Sequence, residues 1–189
     1  MVKLGRKQFL GWALESTAGT AVAVANSNFH LVEDVSVEFS GDEHERVGNM
    51  GSLDQIASVT GSVTGTISFT TELKGAGADS EPKDFPLWKA CGMKTDESSY
   101  NYTLDQDPSP GGNAKTVSIR YFADGIQWDF KGCVGTAVIS MESGSVGKIN
   151  WTFTGMCDGM PSDGTNPTVT YSTVVPPVCQ NTTMTLDSG

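Results

Sequence analysis

Three segments alternate apolar and polar side chains with a period of two, and that restricts most of this chain to β-strands with one wet face. Between Val63 and Leu73, residues Val63, Ile67, Phe69 and Leu73 share one face, with Gly65 and Thr71 between them. Thr64, Thr66, Ser68, Thr70 and Glu72 take the other face. Ile126, Trp128 and Phe130 alternate with Gln127, Asp129 and Lys131, and Ile149, Trp151 and Phe153 alternate with Lys148, Asn150, Thr152 and Thr154. Clean alternation favours antiparallel pairing, because parallel strands are usually covered on both faces. Weaker strands are expected near 7–15, 31–39, 100–104, 116–122, 133–142 and 168–174.

Turn residues punctuate these strands. Asp124-Gly125 predicts a two-residue hairpin, and Gly132 and Ser143-Gly144-Ser145-Val146-Gly147 separate the strands of a meander ending near residue 157. One helix is expected over about 84–91: Asp84 stands at the cap position, Pro86 in the first turn and Gly92 at the stop. Residues 75–84, 105–115 and 158–167 read as loops. The polar stretch 40–58 reads as one long loop between strands, a length often tied to an interaction role. The segment after Pro176-Pro177 alternates at Met184 and Leu186, as a terminal arm or the start of a further strand would.

The 189 residues suit one ordinary domain with a core of its own. Charged residues are only 18%, so Ser, Thr, Asn and 22 Gly carry the polarity. The net charge is −10, and the densest basic group is Lys3, Arg6 and Lys7. Gripping DNA requires clustered cations, so a sequence-reading DNA binder is not expected. The longest apolar run, Ala21 to Ala25, is far below the roughly 20 residues a membrane helix needs. The first fifteen residues lack the apolar stretch of a secretory signal. Cys91, Cys133, Cys157 and Cys179 form no closely spaced pair, so free thiols in a reducing compartment are expected rather than a zinc site.

Catalytic signatures are missing. His30 and His44 lie in no zinc-protease motif, and no serine sits in a nucleophile elbow. His44 lies among Asp42, Glu43, Glu45 and Arg46, which reads more simply as a solvated loop than as an acid–base or metal site. Gly144-Ser145-Val146-Gly147-Lys148 lacks the leading Gly and following hydroxyl of a phosphate loop and reads as a turn. The acidic residues at 105, 107, 158 and 163 lack calcium-loop spacing. No cofactor is expected. Trp128 and Trp151 belong to apolar faces, Trp88 packs the helix on a sheet, and Trp12 is read as part of an N-terminal arm.

The order of segments carries more information than any one motif. A first strand leads into Glu15-Ser16-Thr17-Ala18-Gly19-Thr20-Ala21, and a polar loop precedes Gly65-Thr66-Ile67-Ser68-Phe69-Thr70-Thr71-Glu72-Leu73. Phe85-Pro86-Leu87-Trp88-Lys89-Ala90-Cys91-Gly92 follows, and later Gly147-Lys148-Ile149-Asn150-Trp151-Thr152-Phe153-Thr154-Gly155. Over about residues 7 to 177 this resembles the tail tube, or major tail, proteins of long-tailed double-stranded DNA bacteriophages.

The resemblance implies an all-β antiparallel sandwich or barrel with one flanking helix near 84–91, a domain over 1–177, and a C-terminal arm at 178–189. It implies subunits that pair with copies of themselves into hexameric or pseudo-hexameric rings stacked as a tube. Tape measure, terminator and tip proteins would be the other partners, with no membrane contact. Such a structural protein belongs in the virion tail, assembled in the bacterial cytoplasm, and passes DNA without binding it specifically. Thr64, Thr66, Ser68, Thr70 and Glu72 are then the candidate lumenal face, with Asp129 and Glu142 as possible additions. Asp42, Glu43, His44, Glu45, Arg46, Asn49 and Asp54 are the candidate inter-ring loop. The competing readings are a monomeric β-sandwich binding module for carbohydrate or adhesion, and another tail part such as a terminator.

Overall fold

A computed structural model describes residues 8–46, 57–76, 82–96, 101–105, 115–123, 125–159 and 161–180. The described residues are mainly antiparallel β, with one large curled sheet forming a half-barrel, a small two-stranded sheet and one short helix. The strands are β1 (Gln8–Leu14), β2 (Phe29–His30), β3 (Glu33–His44), β4 (Val59–Glu72), β5 (Met93–Asp96), β6 (Asn101–Leu104), β7 (Val117–Ala123), β8 (Ile126–Ser140), β9 (Lys148–Cys157) and β10 (Ser162–Asp163). Helix α1 covers Phe85–Ala90, and a 3-10 turn precedes β2. The large sheet runs β2-β1-β7-β8-β9-β4-β3, with β10 added to β8; β5 and β6 form a separate hairpin.

Strand β8 makes the curl. Its first part pairs with β7 from Ile126 to Cys133, and its last part, from Val134, pairs only with β9 among the described residues. A register shift between Lys131 and Val134 and a left-handed Gly132 (φ 62°) mark the change. Gly132 therefore bends one long strand instead of separating two, which corrects the division into 126–131 and 133–142. The bend lays β1 and β7 over β4 and β9. The Trp12 ring stacks on Phe69 at 5.6 Å between centroids, and Phe69, Phe153, Trp151 and Trp88 continue the contact. Ile67, Phe69, Ile149, Trp151 and Phe153 are all essentially inaccessible. Each such apolar side chain contributes about 1.5–3 kcal/mol by leaving water. Trp12 is a core residue of β1, not part of an arm.

The weakly patterned strands have a physical reason for their weak pattern. β1 and β7 are covered on both faces: Leu10, Trp12, Ile119 and Tyr121 face the main core, while Ala13 and Phe122 meet Val24 and Phe29 in a second cluster. Gly11 permits that second layer, since a Cβ there would lie 2.8 Å from Val24 and 2.9 Å from the Asn28 carbonyl. One carboxylate closes the corner. Glu15, 1% exposed, accepts hydrogen bonds from the Gly19 amide (2.8 Å), the Thr116 hydroxyl (2.5 Å), the Ser118 hydroxyl (2.7 Å) and the Gly132 amide (2.8 Å). Burial alone raises its pKa, but these four donors outweigh burial and hold it below the usual carboxylate value.

The expected helix is present over Phe85–Ala90, with Pro at its start and Trp88 set edge-on against Trp151 at 4.9 Å. Gly125 takes φ 85° just before Ile126, which pairs with Ala123, while Asp124 of the expected turn lies outside the described residues. Residues 168–174 form no strand and run irregularly over the surface. Val178 and Cys179 pair with the β8–β9 turn through Val146, Gly144 and Ser145. The expected loop 40–58 starts later: residues 40–44 belong to β3, which continues to His44 paired with β4, residues 45, 46, 57 and 58 lie outside the strands, and 47–56 lie outside the described residues. All four cysteines are free thiols, and burial pushes the Cys133 thiol up to about 12.

Candidate functional site

Four strands, the end of β8 followed by β9, β4 and β3, build one polar platform on the face opposite the core. Period two sets which residues it displays, and the pairing register sets their neighbours. Glu38, Thr66, Thr154 and Val134 lie in one row across the strands, and Ser36, Ser68, Thr152 and Thr136 in the next. Thr70, Asn150 and Val138 form a third row, and Glu72, Lys148 and Ser140 a fourth.

The hydroxyls of this lattice engage one another sideways. Thr66 and Thr154 share a hydrogen bond of 3.2 Å, and Ser68 and Thr152 one of 3.5 Å. The Thr70 hydroxyl donates to Asn150 Oδ1 at 2.8 Å, and the Thr64 hydroxyl to the Ser40 carbonyl at 3.3 Å. Each hydroxyl has two acceptor positions and one donor, so lateral bonding still leaves capacity for water. The single cation in these rows, Lys148, is held by Glu33 at 2.5 Å, which keeps its pKa above the ordinary lysine value. Lys74 lies 3.6 Å from Glu72. The platform thus presents neutral hydroxyls and carboxylates, with its cations already paired.

All five expected lumenal residues fall on this face: Thr64 is exposed, Thr66, Ser68 and Glu72 half-buried, and Thr70 buried beside Asn150. Asp129 does not join them. It lies on the part of β8 beside β7, where Arg120 Nε donates to it at 2.6 Å and Gln127 donates as well. Glu142 follows the end of β8 and is exposed. Lys131 pairs with Asp158 at 2.6 Å.

Of the candidate loop residues, Asp42, Glu43 and His44 belong to β3, with Glu45 and Arg46 just beyond; Asn49 and Asp54 lie outside the described residues. The Ser58 hydroxyl donates to Glu43 across the hairpin. Beyond Val63 and Gly41 these two strands pair, among the described residues, only with each other, so they project past β9.

Alternation disclosed the hydroxyls but not the lattice. That Ser36 and Glu38 extend it, and that Val134, Val138 and Met156 interrupt it with exposed apolar groups, follows from strand order and register. Elsewhere, His30 is half-buried against Trp12 at 4.2 Å between rings. Burial first, then Lys83 and Lys74, lower its pKa to about 4. Among the described residues no group of three or more His, Cys, Asp or Glu is placed to hold a metal.

No curated protein matches the chain. Two solved structures are similar in part. One is the tail of an empty GTA particle refined with C6 symmetry: 10% identity, 87% of this chain and all of that chain covered, TM-score 0.42. The other is the anti-feeding prophage (AFP) baseplate, 6-fold symmetrised: 7% identity, 86% of this chain and 97% of that chain, TM-score 0.42. The model of the phage tail tube protein family matches residues 5–188, nearly the whole length, and the chain belongs to that family.

Proposed function

We propose that copies of this tail tube protein join edge to edge into closed rings, six to a ring, with the hydroxyl platform lining the lumen. The observation that carries this reading is the pair of open edges on one wet face. Among the described residues, β3 has a neighbour only in β4, and β8 beyond Cys133 only in β9. The four platform strands alternate in direction, so the two edges run oppositely. A second copy added head to tail therefore sets its β3 antiparallel to the open part of β8. Repeated by rotation, such a contact closes a ring, which removes both edges.

The rings stack into the hollow tube of the virion tail. The distal β3–β4 hairpin, with Asp42, Glu43, His44, Glu45 and Arg46, provides the contact between rings. Residues 1–177 act as one tube domain and 178–189 as an arm anchored at Val178 and Cys179. Tape measure, terminator and tip proteins are the further partners, assembly takes place in the host cytoplasm, and no cofactor or membrane takes part. DNA slides along a wall that hydrates it without gripping it. Hydroxyls release no counterions on contact with phosphate, and Glu38 and Glu72 repel it within the roughly 8–10 Å that salt leaves unscreened.

Replacing Thr66 and Ser68 together by Lys tests the lumenal assignment. Tubes should still form, while DNA ejection slows, most at low salt. Ejection at the normal rate across all salt concentrations would place this face elsewhere. Copy number in purified virions separates an abundant tube subunit from a terminator.

A further inference from the structure

Both open edges end in apolar side chains that the single chain covers only in part, and these lie on the core side of the sheet. On β3, Val35 and Val37 are half-buried against their own chain's core, and Phe39 is 49% exposed with one side of its ring stacked on Phe130 at 5.9 Å between centroids. On β8, Ala137 is half-buried and Ile139 is 48% exposed. Ile139 opens onto a mostly apolar cleft of about 390 Å³, walled by Leu73, Trp88, Met93 and Tyr102. Within one chain the cleft lies beside the open strand edge, with α1 and the β5–β6 hairpin as its outer wall.

We infer that this cleft is the seat of a second copy's β3, whose Val35, Val37 and Phe39 pack against Ile139, Trp88 and Tyr102. The inference rests on the edge-to-edge reading above and adds the apolar contact that selects partner and face. Parity supports it. Val37 and Phe39 stand opposite Ile67 and Gly65, and Ala137 and Ile139 opposite Trp151 and Ile149, so all four belong to the core side. A sheet continued from β8 into a second β3 keeps Ser36, Glu38 and Ser40 beside Thr136, Val138 and Ser140, and turns Val35, Val37 and Phe39 towards the cleft. A slip of one residue would reverse every side chain, placing Glu38 against Trp88 and Phe39 in water.

Charge supports it as well. β3 carries Glu33, Asp34, Glu38, Asp42 and Glu43 before its terminal His44, whereas residues 134–140 carry no charge. Two β3 edges set against each other would oppose like charges across the strands, which is unfavourable. β3 against β8 meets none.

The test is a photo-crosslink. A benzophenone amino acid replaces Ile139 in the full chain, assembled in a mixture of isotopically light and heavy copies, and the crosslinked peptides are identified by mass spectrometry. The expected product joins position 139 of one copy to residues 35–39 of another. The same probe replacing Phe39, which is exposed in the single chain, should in turn reach α1, β6 or Ile139 of a neighbour. Phe39→Asp should abolish the crosslink and the rings while the circular dichroism of the single chain at the assembly temperature stays unchanged; its thermal midpoint falls, because Phe39 also stacks on the buried Phe130 of its own chain. Crosslinks from 139 to β8 of the second copy, as in a two-fold dimer, would overturn the inference. So would crosslinks confined to one chain, or undiminished crosslinking and rings in Phe39→Asp. Electron microscopy of the unsubstituted chain keeps the two readings apart. Rings whose 139 probe reaches other residues sink only the cleft contact, whereas a chain that forms no rings sinks the edge-to-edge reading itself.

Discussion

Glu15 shows how much one side chain can decide. It directly follows β1, yet its carboxylate accepts hydrogen bonds from a loop amide, the hydroxyls of Thr116 and Ser118, and the amide of the glycine that bends β8. Hydrogen bonds to a charged group contribute more than neutral ones, and a buried donor left unpaired loses its full desolvation energy. Glu15→Gln keeps the volume but turns an NH₂ towards these donors, and the loss should be about 3 kcal/mol by urea unfolding at pH 7. The sign of the pH dependence follows from the lowered pKa. In the native chain this stabilisation is complete above the unfolded carboxylate value of 4.5 and is lost as pH falls below it through the lower folded value. Unfolding of the Gln variant should lack that acid-side component. Equal acid slopes in the two proteins would show that Glu15 is not its source. Nothing in the sequence around Glu15 distinguishes it from a solvated strand-end glutamate, because its donors come from positions up to 117 residues away.

At the scale of elements, three glycines on the core side let the sheet close on its aromatic filling. A Cβ at Gly65 would lie 2.4 Å from the Phe130 ring, at Gly155 2.4 Å from Cys133 Sγ, and at Gly135 2.4 Å from the Thr152 carbonyl. The Phe130 ring can shift slightly, but the Thr152 carbonyl is part of the β9 ladder and cannot. Gly135→Ala should therefore cost more than Gly65→Ala, with overpacking of this kind worth roughly 1–3 kcal/mol. Thermal melts of the two variants check the order, and equal midpoints would contradict it. Gly65 was legible as an interruption of a strand pattern, though not as a contact point. The helix at 85–90, the antiparallel succession of β7 and β8, and the two faces of β4 and β9 were legible because each depends on neighbours within a few residues. The continuation of β3 to His44 was not, because polar residues on a paired, solvated hairpin look the same in sequence as polar residues in a loop.

For the whole molecule, charge and edge pairing act against each other. Each copy carries −10, so gathering copies into a ring and stacking rings concentrates negative charge. Screening shortens that repulsion to about 8–10 Å at 0.10–0.15 M salt, while apolar burial and strand pairing depend little on salt. The protein concentration needed for assembly should fall as salt rises from about 0.01 M to 0.15 M, where the screening length shrinks from about 30 Å to 8 Å. Light scattering across that range measures it. A threshold that rises with salt would mean that ion pairs between copies dominate the contact.

Side-chain period and local turn chemistry made the β class, the short helix, and the wet and dry faces of the patterned strands legible from the sequence. Those properties are local along the chain. Tertiary structure decided what distance along the chain conceals. It placed Trp12 on Phe69, drew Glu15 to Gly132, bent β8 where its partner changes from β7 to β9, and set β3 beside β4 so that Ser36 and Glu38 extend the hydroxyl face. It also left the two ends of the platform open, and strand order alone fixes which backbone groups remain without a neighbour among the described residues. Alternation tells a strand which way to face, but only the pairing of strands distant in sequence creates an edge.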